Sequence, residues 1–160
     1  MILPFDEIPD DAKLFIFPSS RKFYEIELLE INSLVTAFLN KWESDEIPFN
    51  CSYEIRYDRF IIIVVDVSIT PLSLENHDAL ISLILQIEQK YEVLLLDKIN
   101  VCYKQGEYVQ YKELKEFKLL IKNNSVSKNT IVFNTMLNTK EELEFDWEIN
   151  IMDSWLGRLL

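Results

Sequence analysis

The 160-residue sequence predicts an α+β fold, and three observations carry that expectation. Two long segments place apolar residues at helical spacing, two short runs are apolar at nearly every position, and two others alternate apolar with polar residues. Helices mixed with both kinds of strand suit a sheet with helices packed on it. Composition agrees: 49% hydrophobic and 27% charged residues, with only two glycines and five prolines, describe a chain that buries a core and is not disordered.

Lys13–Phe17 (KLFIF) is a short apolar run closed by Pro18-Ser19-Ser20, a buried strand running into a helix start. From about Lys22 to Trp42, apolar residues at Tyr24, Leu28, Ile31, Leu34, Val35, Phe38 and Trp42 define an amphipathic helix. Residues 50–57 alternate, with Cys51, Tyr53, Ile55 and Tyr57 on one face, as an edge strand does. After the glycine-free connection Asp58-Arg59, the run FIIIVVDV over residues 60–67 reads as a central strand, so the pair forms a hairpin. Thr70-Pro71-Leu72-Ser73 opens a second helix with Leu80, Leu83, Ile84, Ile87 and Tyr91 on one face. Ile99, Val101 and Tyr103 then alternate with Asn100, Cys102 and Lys104 in a second edge-like strand. Strand, helix, strand, strand, helix, strand is the order of a ferredoxin-like βαββαβ plait, with the fully apolar strands central and the alternating ones at the edges.

Residues 1–104 are therefore expected to form this core, and 105–160 a C-terminal ββαβ-type lobe packed on it within one compact domain. The lobe reads as a strand at Tyr108–Tyr111, a helix with Leu114, Phe117, Leu120 and Ile121 on one face, and a strand at Thr130–Phe133. Thr139-Lys140-Glu141-Glu142 fits a capping box for a further helical turn, and residues 153–160 a last one. A plait leaves one sheet face bare; here that face is apolar, so the lobe or a second copy of the chain should cover it.

Net charge is −11, heaviest in residues 1–50, and such a field repels phosphate backbones. Nucleic acid is not an expected partner; a basic partner or a small ligand is. The start Met1-Ile2-Leu3-Pro4-Phe5-Asp6-Glu7 lacks the basic and apolar regions of a signal peptide, and no apolar run approaches ~20 residues, so a cytoplasmic protein without membrane insertion is expected. Cys51 and Cys102 lie in strand-like runs and read as buried free thiols.

No cofactor or metal is expected. Gly106 and Gly157 stand alone, so no phosphate-binding loop can form, and one histidine with two distant cysteines gives no ligand spacing. His77 reads as a helix-end residue at the margin of the core. Arg56, Asp58 and Arg59 form the charged tip of the hairpin, and Asp66 interrupts an apolar strand, marking either its exit into solvent or a functional acid. Trp147, Trp155 and Arg158 combine aromatic and charged character near the end of the chain. These seven residues are the candidate partner or ligand surface. Arg21-Lys22 beside Ser19-Ser20 reads as a solvated basic pair, with anion binding as the alternative.

The stretches YEIRYDRF (53–60), YKQGE (103–107), SKNTIVFN (127–134) and DSW (153–155) resemble a small family of bacterial proteins of about this length. Its members often carry the label "ABC transporter ATPase", and the resemblance runs along nearly the whole chain. It implies at most an accessory place in a transporter: the Walker lysine, the magnesium-binding carboxylate and the serine-glycine signature of such ATPases have no counterpart here. The chain by itself is not expected to hydrolyse ATP. Where the family carries Gly-Cys-Ser before an aspartate at the second helix, this chain has Leu74-Glu75-Asn76-His77-Asp78. Taken together, the residues point first to a non-catalytic interaction or regulatory protein with a protein partner or a homodimer. A small-molecule-binding domain or small enzyme, with a pocket between sheet and lobe, is the alternative.

Overall fold

The computed structural model describes all of residues 1–160. In chain order the elements are β1 (Lys13–Pro18), α1 (Glu25–Lys41), β2 (Glu43–Ser44), β3 (Ile47–Pro48), β4 (Cys51–Arg56), β5 (Phe60–Val65) and α2 (Leu74–Tyr91). There follow β6 (Val101–Gln105), β7 (Tyr108–Lys112), α3 (Leu114–Lys122), β8 (Ile131–Phe133), α4 (Lys140–Asp146) and β9 (Glu148–Asn150), then two short 3-10 turns. The fold is α+β, and no helix is long and apolar enough to cross a membrane.

One antiparallel sheet has the order β1-β5-β4, with Ile63 opposite both Phe15 and Tyr53. All six residues of β5 are buried because both faces of this sheet are covered. Ile61, Ile63 and Val65 pack with Ile31, Val35 and Leu39 of α1 and with Leu80, Ile84 and Ile87 of α2. Phe60, Ile62 and Val64, on the opposite face by the two-residue period, pack with Cys102, Phe133 and Trp147. Those residues belong to or flank a second sheet, β7-β6-β8-β9, whose far side buries Val101, Tyr103 and Val132 against Phe117 of α3 and Ile151 and Leu156. The molecule is thus four layers deep: two helices, a three-stranded sheet, a four-stranded sheet, and α3 with the C-terminal turns.

Helix starts follow local chemistry. Glu27 accepts the Tyr24 N–H at 2.8 Å while both its oxygens take the Arg21 guanidinium at 2.8 and 2.9 Å, so α1 begins at Glu25 and not at Lys22. At α2, the Asn76 N–H donates to Ser73 Oγ and the Ser73 N–H to Asn76 Oδ1, both at 3.1 Å.

The first, third and second expected strands lie in the order a plait requires, but the fourth is not beside β1. β6 pairs with β7 and β8 in the second sheet instead. There β6 is buried on both faces, as an inner strand is: Val101 and Tyr103 pack with Phe117, and Cys102 with Phe60 between the sheets. Residues 138–140 pair with the start of β1, where the Leu14 N–H donates to Asn138 O at 2.9 Å. The β2–β3 hairpin and β9 were not foreseen from the sequence; two or three residues are too few to show a period.

Candidate functional site

The tips of two hairpins meet at one end of the paired sheets. The β4–β5 loop is Tyr57-Asp58-Arg59, and the first two residues adopt left-handed φ of 56° and 52° without glycine. It is pinned from behind: the Phe23 N–H donates to Asp58 O at 2.8 Å, and the Ser19 N–H to Arg59 O at 3.1 Å. The β6–β7 loop is Gly106-Glu107, where glycine with φ 63° meets the demand of a two-residue turn. These loops set three groups of side chains.

The first group is aromatic. Tyr57, Phe60, Phe133 and Trp147 pack together in edge-to-face and tilted pairs with ring centroids 4.8 to 6.2 Å apart. Trp147 is 2% exposed, so it locks the two sheets together and offers no exposed ring to a partner. The Tyr57 hydroxyl donates to Glu148 Oε2 at 2.9 Å, and Lys104 pairs with the other oxygen of Glu148, which raises the Lys104 pKa.

The second group lines an open cleft of about 460 Å³ between a 3-10 turn at Phe5–Glu7, β4 and α4. Arg56 spans it, with Nε donating to Glu54 at 2.7 Å and Cζ lying 5.4 Å from the Trp147 ring and 5.8 Å from Phe5. Lys140 donates to the Ile8 carbonyl at 2.6 Å and sits 5.2 Å from Phe5. Asp6, Glu144 and Glu148 complete the polar lining.

The third group surrounds a smaller cavity of about 200 Å³ between the two loops, lined by Lys22, Tyr57, Asp58, Arg59, Glu107 and Tyr108 among others. Asp58 pairs with Lys22 at 3.7 Å. Arg59 is only 9% exposed, and burial lowers its pKa from the ordinary arginine value.

Of the seven residues singled out from the sequence, Arg56 and Trp147 therefore share the cleft, and Asp58 and Arg59 share the cavity. Asp66 lies at the opposite end of β5, roughly 24 Å from Arg59 at ~3.4 Å per residue, where its carboxylate accepts the Ser68 N–H. It does not converge with the arginines. Trp155, 37% exposed, and Arg158, exposed, stand on the last 3-10 turn and line neither space. Phe5, Asp6, Lys104, Lys140, Glu144 and Glu148 reach the site only through the meeting of distant segments; no local spacing announces them.

Outside this end, His77 packs 5.7 Å from the Phe15 ring beside an apolar groove. No three His, Cys, Asp or Glu side chains gather as a metal-ligating cluster. Cys51 and Cys102 are buried and free; burial raises both thiols, Cys102 to about 12. In comparison with family models, curated proteins and solved structures, the chain matches none.

Proposed function

We propose that this chain works by binding and not by catalysis, as an interaction or regulatory protein that holds a basic protein partner at the cleft beside Arg56. What supports the reading is the state of the carboxylates there. Glu54 is engaged by Arg56, and Glu148 by Lys104 and Tyr57, whereas Asp6 and Glu144 take part in none of the ion pairs. In a chain of net charge −11, Asp6 and Glu144 outnumber Lys140, the one cleft cation outside the ion pairs, and so favour a lysine or arginine side chain.

Calorimetric titration with a short Arg/Lys-rich peptide tests this. Saturable binding that weakens with salt and falls about tenfold in the Asp6→Asn/Glu144→Gln double variant is expected, while an Asp-rich peptide should not bind. Equal binding by the double variant would refute the assignment.

A second reading, a small polar molecule in the same cleft, draws on the cleft's volume, which falls in the range of ligand sites. Thermal-shift screening separates the two, since a small ligand stabilises the fold without a peptide. An accessory role in a transporter rests on the sequence resemblance alone and is tested by co-purification with a membrane complex. At the level of fold, the β1-β5-β4 order with α1 and α2 on one face supports reading residues 13–91 as a ferredoxin-like unit whose fourth strand has passed to the second sheet.

A further inference from the structure

Arg59 presents a problem that the rest of the fold does not solve. Its side chain is nine-tenths buried, its Nη1 is fully buried without a hydrogen-bond partner, and it joins none of the ion pairs. The ionisable group acting on it is the Cys102 thiol, which burial keeps protonated at neutral pH and which therefore supplies no countercharge. Asp58 and Glu107 stand at the cavity rim, but both are exposed, Asp58 is paired with Lys22, and neither forms an ion pair with the guanidinium. A buried cation left without an anion is costly, and five donors in a planar fork are suited to a carboxylate.

The geometry points to the cavity between the two hairpin tips as a binding site for a small organic monocarboxylate, with Arg59 as its anchor. The rim sets the charge: Lys22 balances Asp58, and Glu107 repels a second negative charge, so a monoanion fits better than a phosphate dianion. The flanks set the body: Tyr108 and Val109 give apolar surface, and about 200 Å³ accommodates a compact hydrocarbon or aromatic group beyond the carboxylate. The strained Tyr57-Asp58 backbone holds the arginine inward by fixing where the loop re-enters β5. This site is separate from the Arg56 cleft and stands or falls independently of it.

The test is thermal denaturation of the full chain in sodium benzoate, acetate or phosphate, with sodium chloride holding ionic strength constant. Benzoate is expected to raise Tm by about 3–6 °C at ten times its Kd, acetate less, and phosphate no more than chloride. Arg59→Met should raise Tm in chloride alone, because it removes an uncompensated buried charge, and should abolish the benzoate response. Arg59→Lys should keep the charge yet lose most of the response, since it lacks the fork. In the unsubstituted protein, the Arg59 Nε–H resonance should shift saturably with benzoate, a readout that does not depend on any variant folding. The proposal is overturned by a benzoate effect equal to that of chloride, by a phosphate effect exceeding benzoate, by retention of the effect in Arg59→Met, or by an Arg59 resonance that does not move.

Discussion

Glu27 sits at the third position of α1 with one oxygen on the Tyr24 N–H and both on the Arg21 guanidinium, which also donates to the Tyr91 carbonyl at 2.9 Å. One carboxylate thereby caps α1 and ties it to the end of α2. The Arg21 bond, followed by the Tyr24 bond and opposed by burial, holds the Glu27 pKa below the usual carboxylate range. A lowered folded-state pKa contributes stability that is full above the unfolded value near 4.3 and is lost as pH falls through the folded value. Chemical denaturation of Glu27→Gln should therefore show a loss of about 1–2 kcal/mol at pH 7 that shrinks below pH 4. At the same scale, Cys51 and Cys102 should resist a thiol-specific reagent in the native protein and react promptly in denaturant, because both are buried and their thiolates disfavoured. Fast labelling under native conditions would place them at the surface.

Helix α2 is capped after Tyr91 by Glu92, exposed and left-handed at φ 53°, its N–H on the Glu88 carbonyl. Glycine adopts that conformation without steric cost, so Glu92→Gly should stabilise the fold by about 0.5–1 kcal/mol in urea. The helices and the two fully apolar strands are the elements most legible in the sequence, since a period of 3.6 or an unbroken β-branched run reports burial directly. β6 was legible as a strand but not in its place. Its alternation marks an edge strand, whereas both of its faces are buried: Cys102 enters the core between the sheets, as its apolar character suggests, and the alternating apolar residue Ile99 is 61% exposed. The candidate site shows the same limit. Arg56, Asp58 and Arg59 announce a charged hairpin tip, yet the burial of Arg59 depends on the β6–β7 hairpin more than forty residues away, and the partners of Arg56 arrive from both ends of the chain. Contacts of that range leave no local pattern.

Across the whole molecule, three cores stack in series, and the middle one joins the two sheets. Phe60 is fully buried there, with ring centroids 4.8 Å from Phe133 and 5.1 Å from Trp147. Phe60→Ala should cost about 3–5 kcal/mol, the loss reported by both sheets together if they unfold as one unit. The chain carries a net charge of −11, and the Arg56 cleft holds two carboxylates, Asp6 and Glu144, that join no ion pair. The central claim is that this cleft receives basic side chains, and amide chemical-shift mapping with an Arg/Lys-rich peptide tests it most directly. The expected result is saturable, salt-sensitive shifts confined to residues around Phe5, Asp6, Glu54, Glu144 and Glu148. Shifts that do not saturate, or that gather elsewhere on the surface, would contradict it.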